Sequence, residues 1–168
     1  MILLKTWELF LSDEHFMKIA LAYAELSASI GEVPVGAVIV SGKEVIVASH
    51  NTKELSCNPI GHAEMNAIEE ASKKLGRWRL NDCTLYSTLE PCIMCTGALI
   101  QARIKRLVYA TPDPKFGAIE SLYSLSNDQR LNHRFSTLSG VLVEESRRLL
   151  KRFFRELRPH QRINSPIV

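Results

Sequence analysis

Residues 13–158 read as an α/β domain: a three-layer α/β/α sandwich around a five-stranded mixed sheet. Three observations predict it. Short β-branched runs recur along the chain and alternate with segments whose apolar residues return every three or four positions. Two of those helical segments open directly after a Pro or Gly break, each downstream of a strand-like run, as crossovers between strands require. The length, 168 residues of which 46% are hydrophobic, suits one domain with its own core. No internal repeat, low-complexity stretch or linker divides it.

The elements follow in order. Asp13 to Ser29 reads as a helix, with Ser12 or Asp13 as its cap, Phe16, Ala20, Tyr23 and Ala24 as its apolar stripe, and Gly31 ending it. Val33 to Val40 and Glu44 to Ser49 are strands about a Ser41-Gly42-Lys43 hairpin. His50 to Gly61 is a loop, and a helix carrying Met65, Ile68, Ala71 and Leu75 opens at His62. Cys83 to Thr88 is the third strand and leads to a helix with Pro91 at its first position, where a missing N–H costs nothing. Arg106 to Ala110 is the fourth, parallel to the third across that helix. Asp113-Pro114 is a turn, Gly117 to Leu125 a short helix, Ser126 to Phe135 a polar loop and Gly140 to Val143 the fifth strand. From Glu144, the apolar positions Leu149, Leu150, Phe153, Phe154 and Leu157 make an amphipathic helix that closes over the sheet. Residues 159–168 read as a flexible basic tail, and residues 1–12 as an N-terminal extension.

Two short segments carry the chemistry: His62-Ala63-Glu64, and Pro91-Cys92-Ile93-Met94-Cys95. A Cys-x-x-Cys pair by itself is a catalytic zinc site, half of a structural one, a redox pair or two core thiols. A His-x-Glu by itself is most often a solvated helix face. Their conjunction is more specific. The spacing of Cys92 and Cys95 puts both sulfurs on one face of a helix start, where the dipole and free N–H groups favour thiolates. His62 opens its own helix after Pro59 and Gly61, and Glu64 points elsewhere within the same turn. Zinc takes three protein ligands in catalytic sites and leaves one position for water. His62, Cys92 and Cys95 fill the first role. Glu64 is left over as a general acid/base.

The His62-Ala63-Glu64 and Pro91-to-Cys95 segments resemble the signature of zinc nucleoside and nucleobase deaminases. Glu32 to Ala37, Thr88-Leu89-Glu90, Asp113 to Ala118, Leu131 to Arg134 and Phe153-Phe154-Arg155 resemble segments of bacterial tRNA-specific adenosine deaminases, so the likeness spans about Asp13 to Arg158. The resemblance implies a cytidine-deaminase-like fold, one Zn²⁺ per subunit, a homodimer, and conversion of adenosine to inosine at the wobble position of a tRNA anticodon. It implies His62, Cys92 and Cys95 as metal ligands and Glu64 as acid/base. It further implies that Asn51 holds the purine, that Asp113 and Lys115 touch the flipped nucleotide and its neighbours, and that Phe153 and Arg155 contact the anticodon stem-loop. Phe116 departs from the pattern, which has a small, often hydroxylated residue there. From residues alone, Asn51 and Asp113 read as turn residues, Phe153 as core and His133 as structural.

Composition narrows the partners. No apolar run approaches the ~20 residues of a membrane span, and the start Met1 to Glu8 is interrupted by Lys5 and Glu8, unlike a secretory signal. Four cysteines, two of them in a metal-type pair, suit a reducing compartment and a cytoplasmic protein. Cys83 reads as a buried strand residue and Cys57 as an idle loop thiol. Net charge is +3, yet residues 144–168 hold seven Lys or Arg against three Glu, a net +4. That is the footprint expected for a phosphate backbone, or else a solvated helix face. Two other functions compete: a deaminase of a free base or nucleoside, and a non-catalytic RNA-binding module folded on structural zinc, with Cys57 as its spare fourth ligand.

Overall fold

The computed structural model describes residues 12–161, leaving aside the side chains of 158–161. The expected extension up to Leu11 and most of the expected tail lie outside those residues. Among them the elements are α1 (Asp13–Ser29), β1 (Gly36–Ser41), β2 (Glu44–His50), α2 (Ala63–Leu75), β3 (Cys83–Leu89), α3 (Ile93–Gln101), β4 (Arg106–Thr111), β5 (Ser136–Ser139) and α4 (Val143–Gln161). The strands form one mixed sheet in the order β2-β1-β3-β4-β5. β1 is antiparallel to β2 and β3, while β3–β4 and β4–β5 are parallel. The hairpin turns at Gly42, whose φ of +60° suits a residue without Cβ.

Alternation along the strands supplies two apolar faces. Ala37, Ile39, Leu85, Leu107 and Tyr109 pack with Ala63, Ala67 and Ala71 of α2 and Leu99 of α3. Val38, Val40, Tyr86, Val108 and Ala110 face Phe16, Met17 and Ala20 of α1. A sheet buried on both sides needs these near-continuous apolar runs. α1 presses so close to β1 that a Cβ on Gly36 would lie 2.7 Å from the Ala24 amide. Small residues on α2 do the same for the other layer. Ser12 caps α1 through its hydroxyl, which accepts from His15 N–H at 3.4 Å.

Four sequence expectations are corrected. Pro91 precedes Cys92, the N-cap of α3, and so is not the first helical residue. Gly117 to Leu125 is not a helix; Gly117 bridges to Cys92, and only Leu125–Asn127 makes a 3₁₀ turn. The fifth strand is Ser136–Ser139, not Gly140 to Val143. Its residues are all exposed on the sheet edge, so it lacks the apolar signature sought in a strand. α4 runs past Pro159 to Gln161, because a proline in a last turn removes one donor only.

Candidate metal centre and its loops

Two helix starts meet at the carboxyl end of β3. His62 is the N-cap of α2 and Cys92 the N-cap of α3, with Cys95 on the first turn behind it. Neither cap residue satisfies the helix end through its own side chain, so both are free to turn outward. Nδ1 of His62 lies 3.7 Å from Sγ of Cys92 and 3.5 Å from Sγ of Cys95, and the sulfurs are 3.6 Å apart. A tetrahedral zinc with Zn–S about 2.3 Å and Zn–N about 2.0–2.1 Å requires S···S near 3.8 Å and S···N near 3.6 Å. The triangle has that size. Among the described residues these three are the group able to share a cation, and Cys57, exposed in its loop, is not part of it.

The electrostatics fit a cation as well. Left to themselves, the two thiols share one proton. Cys92 is held down to about 4 by its hydrogen bond with Cys95 and by the His62 ring, against a desolvation cost. Cys95 is pushed far up by that same bond and by burial. His62 is raised, first by its contact with Cys92. A cation would release the remaining thiol proton and hold both sulfurs as thiolates.

Glu64 stays outside the triangle. It is buried on the first turn of α2, with Ser87 Oγ 3.4 Å from its Oε1. Burial raises its carboxyl above the ordinary glutamate range, opposed by its own backbone N–H and by His62. A desolvated carboxyl beside a donor triangle is the arrangement of a proton carrier.

Two further buried carboxylates, which sequence reasoning passed over, hold the loops around this corner. Glu32 is fully buried; its Oε1 accepts Leu55 N–H at 2.7 Å and its Oε2 accepts from the Asn51 amide at 3.1 Å. Asn51 is thereby fixed in the loop after β2, itself buried. Glu90, at the end of β3, does more. Its Oε1 accepts the N–H groups of Ile119, Glu120 and Ser121 at 3.0, 2.8 and 3.0 Å. Its Oε2 accepts Asp113 N–H at 2.9 Å and the Ser121 hydroxyl. Burial alone would raise this carboxyl, but the N–H groups and hydroxyl around it bring it below the usual range. The signal in the sequence was a lone acid in an apolar setting: Glu32 before Val33-Pro34-Val35, and Glu90 between Leu89 and Pro91.

Asp113 and Lys115 ride on the loop that Glu90 holds. Asp113 Oδ1 accepts Lys115 N–H at 2.9 Å, and Lys115 is exposed. The last helix behaves otherwise. Phe153 is 7% exposed, so its expected contact with a substrate is corrected: the ring is packing. Phe154 beside it is the exposed aromatic. Arg155 is exposed and lines a cleft between α1 and α4 with Glu25, Arg148 and Arg152, across the sheet from α2 and α3. His133 is structural as read, its Nε2 2.8 Å from the Ile104 carbonyl.

The family model of MafB19-like deaminases matches residues 11–158. The tRNA-specific adenosine deaminase of Bacillus subtilis is 47% identical over 146 residues, 87% of this chain and 91% of its own. The chain belongs to the tRNA-specific adenosine deaminase family. The enzyme of that name from Haemophilus influenzae is 40% identical over 93% of this chain and 91% of its own. A solved tRNA:A34 deaminase, described as editing A to I at the wobble position, superposes with a TM-score of 0.79 at 40% identity, covering 81% of this chain and 99% of that one.

Proposed function

We propose that this protein hydrolyses adenosine to inosine and ammonia at the wobble position of a tRNA anticodon. The observation that carries the reading is the zinc-sized His62–Cys92–Cys95 triangle with the buried Glu64 carboxyl standing outside it. The names and extent of the relatives support the substrate. His62, Cys92 and Cys95 would hold a zinc ion, which would supply Lewis-acid activation of water.

The chain's own residues do the rest. A Glu64 oxygen takes the proton of the attacking water, passes it to a ring nitrogen of the purine, and moves a second proton to the departing amine. Desolvation helps, since a raised carboxyl gives up and regains a proton more readily near neutral pH. Asn51, immobilised by Glu32, holds the purine. Asp113 and Lys115 meet the flipped nucleotide and its neighbours, and Arg155 with the other cations of α4 reaches the phosphate backbone. A base in an anticodon loop is cheap to unstack. The apolar groove lined by Ile68, Trp78 and Ala98 on α2, α3 and their connection suits a second copy of the chain. No helix among the described residues is long and apolar enough to cross a membrane.

The test is conversion of an anticodon stem-loop by the purified protein, read as guanosine in place of adenosine at the wobble position on sequencing. Free adenosine, guanine and cytosine serve as parallel substrates for ammonia release. Turnover of a free compound with none of the stem-loop would sink the reading.

A further inference from the structure

We propose that Phe116 is a stacking platform for a base adjacent to the target nucleotide. This deepens the reading of the protein as an RNA deaminase and rests on it. Phe116 is 67% exposed, among the most exposed large apolar side chains of the described residues. The backbone around it is pinned on both sides. Gly117 pairs with Cys92, Gly117 N–H donates to the Asp113 carbonyl at 2.9 Å, and Ala118 N–H donates to the Pro91 carbonyl at 2.9 Å. Asp113 N–H and the three amides of Ile119 to Ser121 are gathered by Glu90. Gly117 must lack a side chain, since a Cβ there would run into the Glu90 carboxylate and lie 2.6 Å from the Asp113 carbonyl oxygen.

A large ring on a fixed backbone, one residue from the partner of Cys92, stands at the rim of the corner that receives the target base. Holding the loop in advance removes the ordering cost that a mobile loop would incur on binding. Exposed Lys115 lies next to it. An aromatic face for a base beside a cation for a phosphate is the chemistry that tracks single-stranded nucleic acid. The target base itself belongs against Glu64, inside the corner, so the ring serves a flanking nucleotide. Every base has a π-face, so the contact adds affinity and little sequence preference.

The experiment compares wild type, F116S and F116W on an anticodon stem-loop. It also uses stem-loops with an abasic nucleotide immediately before or after the wobble position. Binding is read by fluorescence anisotropy and turnover by inosine content. F116S should raise Kd and KM about ten-fold or more while kcat stays within about two-fold, and F116W should restore both. One of the abasic substrates should weaken wild type by a similar factor and weaken F116S no further, the non-additivity of two groups in contact. Unchanged Kd in F116S, additive penalties at both abasic positions, or a changed oligomeric state of F116S on sedimentation would each overturn the proposal. A wild type that binds the stem-loop with this coupling but forms no inosine would instead overturn the proposed reaction and leave the platform standing.

Discussion

The donor triangle and the loop facing it are two walls of one site, held by opposite means. His62, Cys92 and Cys95 sit on the first turns of two helices, and each is placed by residues within a few positions of it. The Asp113-to-Ser121 loop has no regular structure and is placed by one side chain from 23 to 31 residues earlier, the Glu90 carboxylate. The first wall owes its shape to helix propagation; the second owes it to buried charge-assisted hydrogen bonds. Damage to the first wall should therefore remove the chemistry, and damage to the second should blur positioning with the chemistry retained.

The largest effect tests the first wall. Cys92→Ala should abolish inosine formation and cut bound zinc, measured by atomic absorption, to a small fraction of one equivalent per chain. Full metal content in that variant would show that the triangle is not the binding site. Glu64→Gln comes next. It should lower kcat by about 10²- to 10⁴-fold with zinc content unchanged, because it removes the proton carrier and no ligand. Loss of metal along with activity would place Glu64 in the coordination sphere instead.

The second wall breaks differently. Glu90→Gln substitutes an amide whose NH₂ must face at least one backbone N–H now bonded to carboxylate. Leaving such a buried donor unmatched costs about 1–3 kcal/mol. The melting temperature should fall, KM for the stem-loop should rise, and zinc should remain stoichiometric. Gly117→Ala pushes a methyl group into that same carboxylate from the other side and should reproduce the pattern. If either variant lost its metal before its substrate affinity, the two walls would not be separable.

The contrast also explains what could be read in advance. The donors, the acid/base, α1, the hairpin and the parallel β3–β4 pair all lie in local patterns of caps, breaks and periodicity. Phe153 was legible as core from its place in the α4 stripe, and burial agrees with that rather than with the contact inferred by likeness. What escaped was non-local. Glu90 gives no local sign that its partners stand 23 to 31 residues further along, so residues 117–125 looked helical when the amides of Ile119, Glu120 and Ser121 were already spent on a side chain. The edge strand escaped for another reason: Ser136–Ser139 is paired on one side only and buries nothing, so its polar composition hid it behind the apolar Val141 and Val143.

A contact remote from both walls gives the smallest effect and calibrates the others. Asp13, at the start of α1, accepts from Arg106 through both oxygens at 2.8 Å and from the Tyr86 hydroxyl at 2.9 Å, tying the helix to β3 and β4. The Arg106 guanidinium holds the Asp13 carboxyl below its ordinary value against the cost of burial. A depressed carboxyl stabilises the fold above its unfolded-state pKa of about 3.9 and loses that contribution as pH falls through the lower folded value. Asp13→Asn should therefore cost about 1 kcal/mol at pH 7, with Arg106 left half-exposed rather than buried. Thermal melts of the two proteins should begin to converge as pH falls below about 4 and meet once it lies below the folded value of Asp13, while kcat and zinc content match wild type at neutral pH. A gap in stability that did not narrow at all as the carboxyl was titrated to its protonated form would mean that the place of Asp13 in the first turn of α1 or the Tyr86 bond, and not the ion pair, is what Asp13 contributes.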